Sequence, residues 1–227
     1  MSTAPTSHSS FLFEFLRLLA SERQIPAATL ADVVLFAVSE KDTLRFAVPL
    51  SLRDRLDAWA SEHGLRAASA RVGGRRVGDW TVLSPDAGDD IALVVYGRAQ
   101  EDVERLCSAE VAGDPAVAGR LLGYPACCIA AYEQHASNPT TWVERMVAKS
   151  GPGPYPCWAN RLPLQRGAIT FIGELYPCSF RCTAAVAHGR RVYAAMRQLG
   201  LESLAQQTLE QSLYPVDHAA GRIEFTA

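Results

Sequence analysis

The chain has 227 residues, enough to bury one large core or two small ones, and its 48% hydrophobic and 20% charged content is that of an ordinary globular protein. A formal net charge of -2 and a pI near 6.2 exclude the global basic field that gathers nucleic acid. No run approaches the roughly 20 apolar residues that span a bilayer, and the polar opening MSTAPTSHSS lacks the basic start and apolar stretch of a secretory signal. A cytoplasmic protein without nucleic-acid or membrane partners is therefore expected. In a reducing cytoplasm its six cysteines are core fillers, reactive thiolates or metal ligands rather than three disulfides.

In chain order, residues 1–9 read as a flexible tail and residues 10–22 as a helix carrying Phe11, Phe15, Leu18 and Leu19 at helical spacing. Residues 33–38 and 43–48 read as a hairpin joined by the charged turn Ser39-Glu40-Lys41-Asp42. Residues 51–63 form an amphipathic helix that Gly64 ends. Strands follow at 65–72, 80–83 and 91–96, with Gly73-Gly74 and Pro85-Asp86-Ala87-Gly88 marking the turns. This predicts an N-terminal α/β domain over 10–99 with a mostly antiparallel sheet. From residue 100 the texture becomes helical: 101–111, 115–122, 127–135, 140–149, 180–199 and 201–213 read as helices. A short strand is expected at 168–172 and a closing one at 222–226. The fold class is α+β, with a helix-rich half over 100–227 that holds every cysteine.

One local pattern recurs. Tyr124-Pro125-Ala126-Cys127-Cys128, Tyr155-Pro156-Cys157 and Tyr176-Pro177-Cys178 each set a Tyr-Pro pair ahead of cysteine. Proline is favoured in a first helical turn. There the free N–H groups and the macrodipole favour the thiolate, the form that binds metal or attacks. Cys178 and Cys182 are four apart, so on a helix they share a face. Four thiolates from Cys127, Cys128, Cys178 and Cys182 suit an iron–sulfur cluster, 4Fe-4S first, with zinc as the alternative. Cys157 is a substitute ligand or a mobile thiol, and Cys107 a core filler.

These residues resemble a known family. Gly-Arg-Leu-Leu-Gly-Tyr-Pro-Ala-Cys-Cys at 119–128, Tyr132, Asn160-Arg161-Leu162 and Pro-Cys-Ser-Phe-Arg-Cys at 177–182 are similar to an uncharacterised prokaryotic family. Its hallmarks are a Leu-Gly-Tyr-Pro-x-Cys-Cys segment and a downstream Pro-Cys-Ser-x-x-Cys. The resemblance spans roughly residues 93–195 and implies that Cys127, Cys128, Cys178 and Cys182 belong together, with Cys157 a departure.

Other polar residues have plainer readings. Glu174, just ahead of the third Tyr-Pro-Cys, is the candidate for proton transfer or substrate contact. Glu133 and His135 read as a solvated helix face, and His188 as surface. Arg71, Arg75 and Arg76 flank a turn that an anion would suit, although solvation is the default. Hydrolase motifs are absent. The leading functional expectation is an iron–sulfur enzyme of small-molecule metabolism, of transferase or lyase type, with sulfur transfer as one such reaction. Two others stand beside it: a zinc-stabilised protein that binds a protein partner without catalysis, and a thiol redox protein.

Overall fold

The computed structural model describes residues 29–77, 80–83, 89–135, 141–163 and 168–227, together with Glu14. The expected tail and nearly all of the first helix lie outside the described residues. Among the described residues, eight α-helices and a four-stranded antiparallel sheet make an α+β fold.

The sheet orders its strands β1-β4-β2-β3: β1 Thr43–Pro49, β2 Arg66–Val77, β3 Trp80–Leu83 and β4 Asp89–Gly97. In β1 the alternation is clean. Leu44, Phe46 and Val48 are buried on one face, while Arg45 and Ala47 look to the other. β4 lies between β1 and β2 and is buried on both faces. Ala92, Val94 and Tyr96 join the main core; Leu93 and Val95 join a second one. Helix α2 (Leu50–Glu62) covers the first face through Leu52, Leu56 and Trp59, and α3 (Gln100–Ala112) covers the second through Val103, Leu106 and Cys107. Arg45 pairs across the ladder with Val95 and so emerges on the α3 side.

Three expectations are corrected. Residues 33–38 are not a strand: α1, Thr29–Ala37, is a helix with all nine side chains buried. An element buried on every side shows no amphipathic period, and Val33-Val34 gave it a β-like look. The pair Gly73-Gly74 is not a turn either, since both glycines pair within β2, against Asp90 and Asp89 of β4. Residues 168–172, expected as a strand, carry no strand.

Beyond residue 100 the helices follow expectation within a few residues. They are α4 Pro115–Leu121, α5 Ala126–His135, α6 Trp142–Ser150, α7 Thr183–Gln198 and α8 Glu202–Leu213. Asp114 caps α4 by accepting the Val117 N–H at 2.9 Å, with Pro115 behind it in the first turn. The closing segment splits into β7 Gly221–Ile223, hairpinned with β6 Val216–His218, and β8 Phe225–Thr226, parallel to β5 Tyr155–Pro156. The main core runs across residue 100 without a break, from Leu44 and Phe46 to Val192, Met196 and Phe225.

Candidate metal centre

Four cysteines from two separate segments converge. The Sγ atoms of Cys127, Cys128, Cys178 and Cys182 all lie within 4.8 Å of one another. Three of the separations are 3.6 Å (Cys127–Cys182), 3.7 Å (Cys128–Cys182) and 3.9 Å (Cys127–Cys128).

Cys127 and Cys128 sit in the first turn of α5, where Pro125 accepts from the N–H groups of Cys128 and Ile129. This is the helix start that the Tyr-Pro pattern predicts. Helix α5 is held tightly against α4 because Gly119 leaves no side chain there: a Cβ would come within 2.8 Å of Ile129 Cγ1. The second pair differs from expectation. Helix α7 begins only at Thr183 with Cys182 as its N-cap, so Cys178 and Cys182 lie on a loop rather than one turn apart on a helix.

Contacts between them fix that loop. Phe180 N–H donates to Ser150 Oγ at 2.8 Å. Arg181 donates to three carbonyls, Ser150 at 3.0 Å, Pro152 at 2.7 Å and Pro154 at 3.1 Å. Two of the three residues between Cys178 and Cys182 therefore clamp the loop to the end of α6 and the segment after it.

Burial grades the four thiols. Cys127 is exposed, Cys178 half-buried, and Cys128 and Cys182 buried. Burial drives the Cys128 thiol far up, although the Cys178 backbone N–H donates to its sulfur. Cys178 is pushed up to about 11, first by burial and then by its hydrogen bond to Cys182. At Cys182 burial is outweighed by the Ala185 N–H and by hydrogen bonds from the other three cysteines, and its pKa falls. Its thiolate is thus favoured at a helix N-terminus, with three thiols gathered around it.

Cys157 is not in this group. It is fully buried in the main core at the start of a 3-10 turn, Cys157–Ala159. Burial raises its thiol to about 11. Cys107 packs in the second core.

A cavity of about 300 Å³ adjoins the cluster, with Cys128 in its wall. Glu174 lines it, forming an ion pair with Arg45, whose Nε lies 3.3 Å from Glu110. Arg45 thus joins β1, α3 and the loop that leads into the second cysteine motif. Tyr124, Tyr132 and Tyr176 complete the polar wall. Glu133 is exposed, and the side chain of His135 lies outside the described residues.

Two interior features went unread in the sequence. His188, expected at the surface, is 2% exposed, and among the described residues neither ring nitrogen has a hydrogen-bond partner. Burial pushes its pKa down to about 4. Its position follows from Gly189, where a Cβ would lie 2.1 Å from the Trp158 carbonyl oxygen: α7 comes too close there for any side chain. Lys41, read as part of a charged turn, is buried in an ion pair with Asp32 at 2.6 Å. Tyr124 lies beneath its ammonium at 4.9 Å and extends its hydroxyl to Asp32 at 3.4 Å. No spacing rule reports either feature, since both depend on which elements pack together.

The fold and site define an α+β protein with a four-cysteine cluster competent to hold metal. Residues 92–200 match the model of an uncharacterised family, described as a protein of unknown function (DUF483). That match covers the stretch over which the cysteine motifs suggested a family resemblance. No curated protein and no solved structure matches the chain. Among the described residues no helix is long and apolar enough to cross a membrane.

Proposed function

We propose that Cys127, Cys128, Cys178 and Cys182 hold one tetrahedrally coordinated ion, zinc, which fastens the starts of α5 and α7 beside a small-molecule site. The observation that carries this reading is the spacing of the sulfurs. Four thiolates about 2.3 Å from a central zinc stand roughly 3.8 Å apart. The separations of 3.6, 3.7 and 3.9 Å are those of such a tetrahedron. A four-iron cluster puts each thiolate on a different corner of a cube, with the sulfurs roughly 6 Å apart. The cluster foreseen from the sequence would require the two segments to spread, against the Arg181 clamp and the Gly119–Ile129 contact. Between the two cofactors the geometry therefore favours zinc.

The donor set fits zinc in its chemistry as well: all sulfur, partly buried, with backbone N–H groups of Cys178 and Ala185 directed at two of the sulfurs. A four-thiolate site is closed, so the ion supplies cohesion rather than an open position for substrate. Binding and chemistry then belong to the adjoining cavity, where Glu174 is the candidate acid or base. Metal analysis of protein purified without oxygen, from medium holding both zinc and iron, tests the assignment. One zinc per chain in a colourless protein is expected; several irons with acid-labile sulfide would refute it.

A further inference from the structure

We infer that the cavity beside Cys128 is a binding site for a small organic cation, an amine or guanidinium carried on an apolar body. Its charge balance is the first reason. The charged groups in its wall are Glu110, Glu174, Asp114 and Arg45, three carboxylates against one guanidinium, and with Arg161 against the Tyr176 ring the balance is still negative. Arg45 lies between Glu110 and Glu174 and is paired with both, so its charge is spent within the wall. A carboxylate or phosphate ligand would have to displace those partners and then face them.

The placement of the carboxylates is the second reason. Glu110 and Glu174 have side chains only 14% and 20% exposed, so their charge acts through a medium that screens it less than bulk water does. Asp114 is exposed, with its carboxylate oxygen on the Val117 N–H. An incoming cation would therefore meet one anion at the surface and, deeper in, two carboxylates that share a single guanidinium.

The rest of the wall sets the body of the ligand. Leu122, Ile129 and Leu175 are apolar, and Tyr132 and Tyr176 meet at 5.3 Å between ring centroids. Aromatic rings beside carboxylates favour ammonium and guanidinium groups through the ring quadrupole. This same wall already treats cations in that way, since Arg161 stacks on Tyr176 at 3.6 Å. A volume of about 300 Å³ suits a ligand the size of an aryl-alkyl amine. The cavity, its carboxylates and its aromatic wall together carry the inference. A four-thiolate centre with a divalent ion would add two negative charges behind Cys128, and only that increment rests on the zinc reading.

Calorimetric titration of the full chain tests it, with metal content measured on the same sample. The probes are tyramine, 4-hydroxyphenylacetate and the uncharged 4-hydroxyphenylethanol, which share a body and differ in charge, with agmatine as a guanidinium. At least one of the two cations should bind, and tyramine at least about tenfold more tightly than its anionic and neutral analogues. The double variant Glu110→Gln/Glu174→Gln, which releases Arg45, should reverse the preference toward 4-hydroxyphenylacetate. If that variant does not fold, Tyr132→Ala, at an exposed position, should weaken cation binding several-fold. Binding of the anion as tightly as the amine, or failure of both cations to bind at millimolar concentration, overturns the inference. Loss of zinc with retained amine preference would strike the metal assignment alone.

Discussion

The sulfur atoms of Cys127 and Cys182, 55 residues apart in the chain, lie 3.6 Å from each other. That closeness joins the start of α5 to the N-cap of α7 and makes the four-cysteine group one object rather than two pairs. Removal of any member should release the ion. Cys182→Ser is expected to lower zinc affinity by at least about 100-fold. Cys157→Ala should keep full metal content and lose only about 1 kcal/mol of stability to a small core void. Metal stoichiometry after gel filtration, with chemical denaturation alongside, separates the two.

Gly189 is the point where α7 rests on the Trp158 carbonyl. Gly189→Ala puts a methyl group 2.1 Å from that oxygen and requires the helix to move. A loss of about 3 kcal/mol is expected, measured as a lower denaturation midpoint. An unchanged midpoint would mean that α7 does not pack as described.

The buried pair Asp32–Lys41 should behave as a unit. With side chains 7% and 3% exposed, neither charge has solvent to fall back on. Asp32→Asn or Lys41→Met alone should each cost roughly 3–5 kcal/mol by leaving one buried charge unpaired. The double variant Asp32→Leu/Lys41→Met should cost less than either single change. A double-mutant cycle by urea denaturation measures the coupling.

His188 should imprint a pH dependence on stability. Burial lowers its folded-state pKa from 6.5 to about 4, so the fold holds the neutral ring. Above pH 6.5 neither state takes up the proton, and the full contribution is present. As pH falls from 6.5 toward 4 the unfolded chain binds a proton that the folded chain refuses, and up to about 3 kcal/mol is lost. His188→Gln lacks this term. The difference in stability between wild type and variant should therefore change across that window, with the cysteine contribution common to both.

Much of the architecture was legible because its signals are local. Asp114 and Pro115 announce α4, Gly113 in the left-handed region closes α3, and the alternation of Leu44, Phe46 and Val48 marks β1. The four cysteines were legible too, since the Tyr-Pro pairs and the close spacings within each motif are properties of neighbouring residues. Contacts at long range were not. Helix α1 shows no period because every side of it is covered, and once it was taken as a strand, Asp32 could not be seen as the partner of Lys41. His188 was misplaced for a similar reason: burial there depends on Trp158, thirty residues earlier. The kind of centre was not legible, because composition names the sulfurs and says nothing of their separations.

The most direct test of the central claim is the metal bound by the wild-type chain, measured by elemental analysis together with its visible spectrum. The account predicts one zinc per chain and no colour, and, after exchange, a cobalt form with the intense visible bands of tetrahedral thiolate coordination. A brown protein containing several irons and inorganic sulfide, or a chain that binds no metal with all four cysteines reduced, would contradict it.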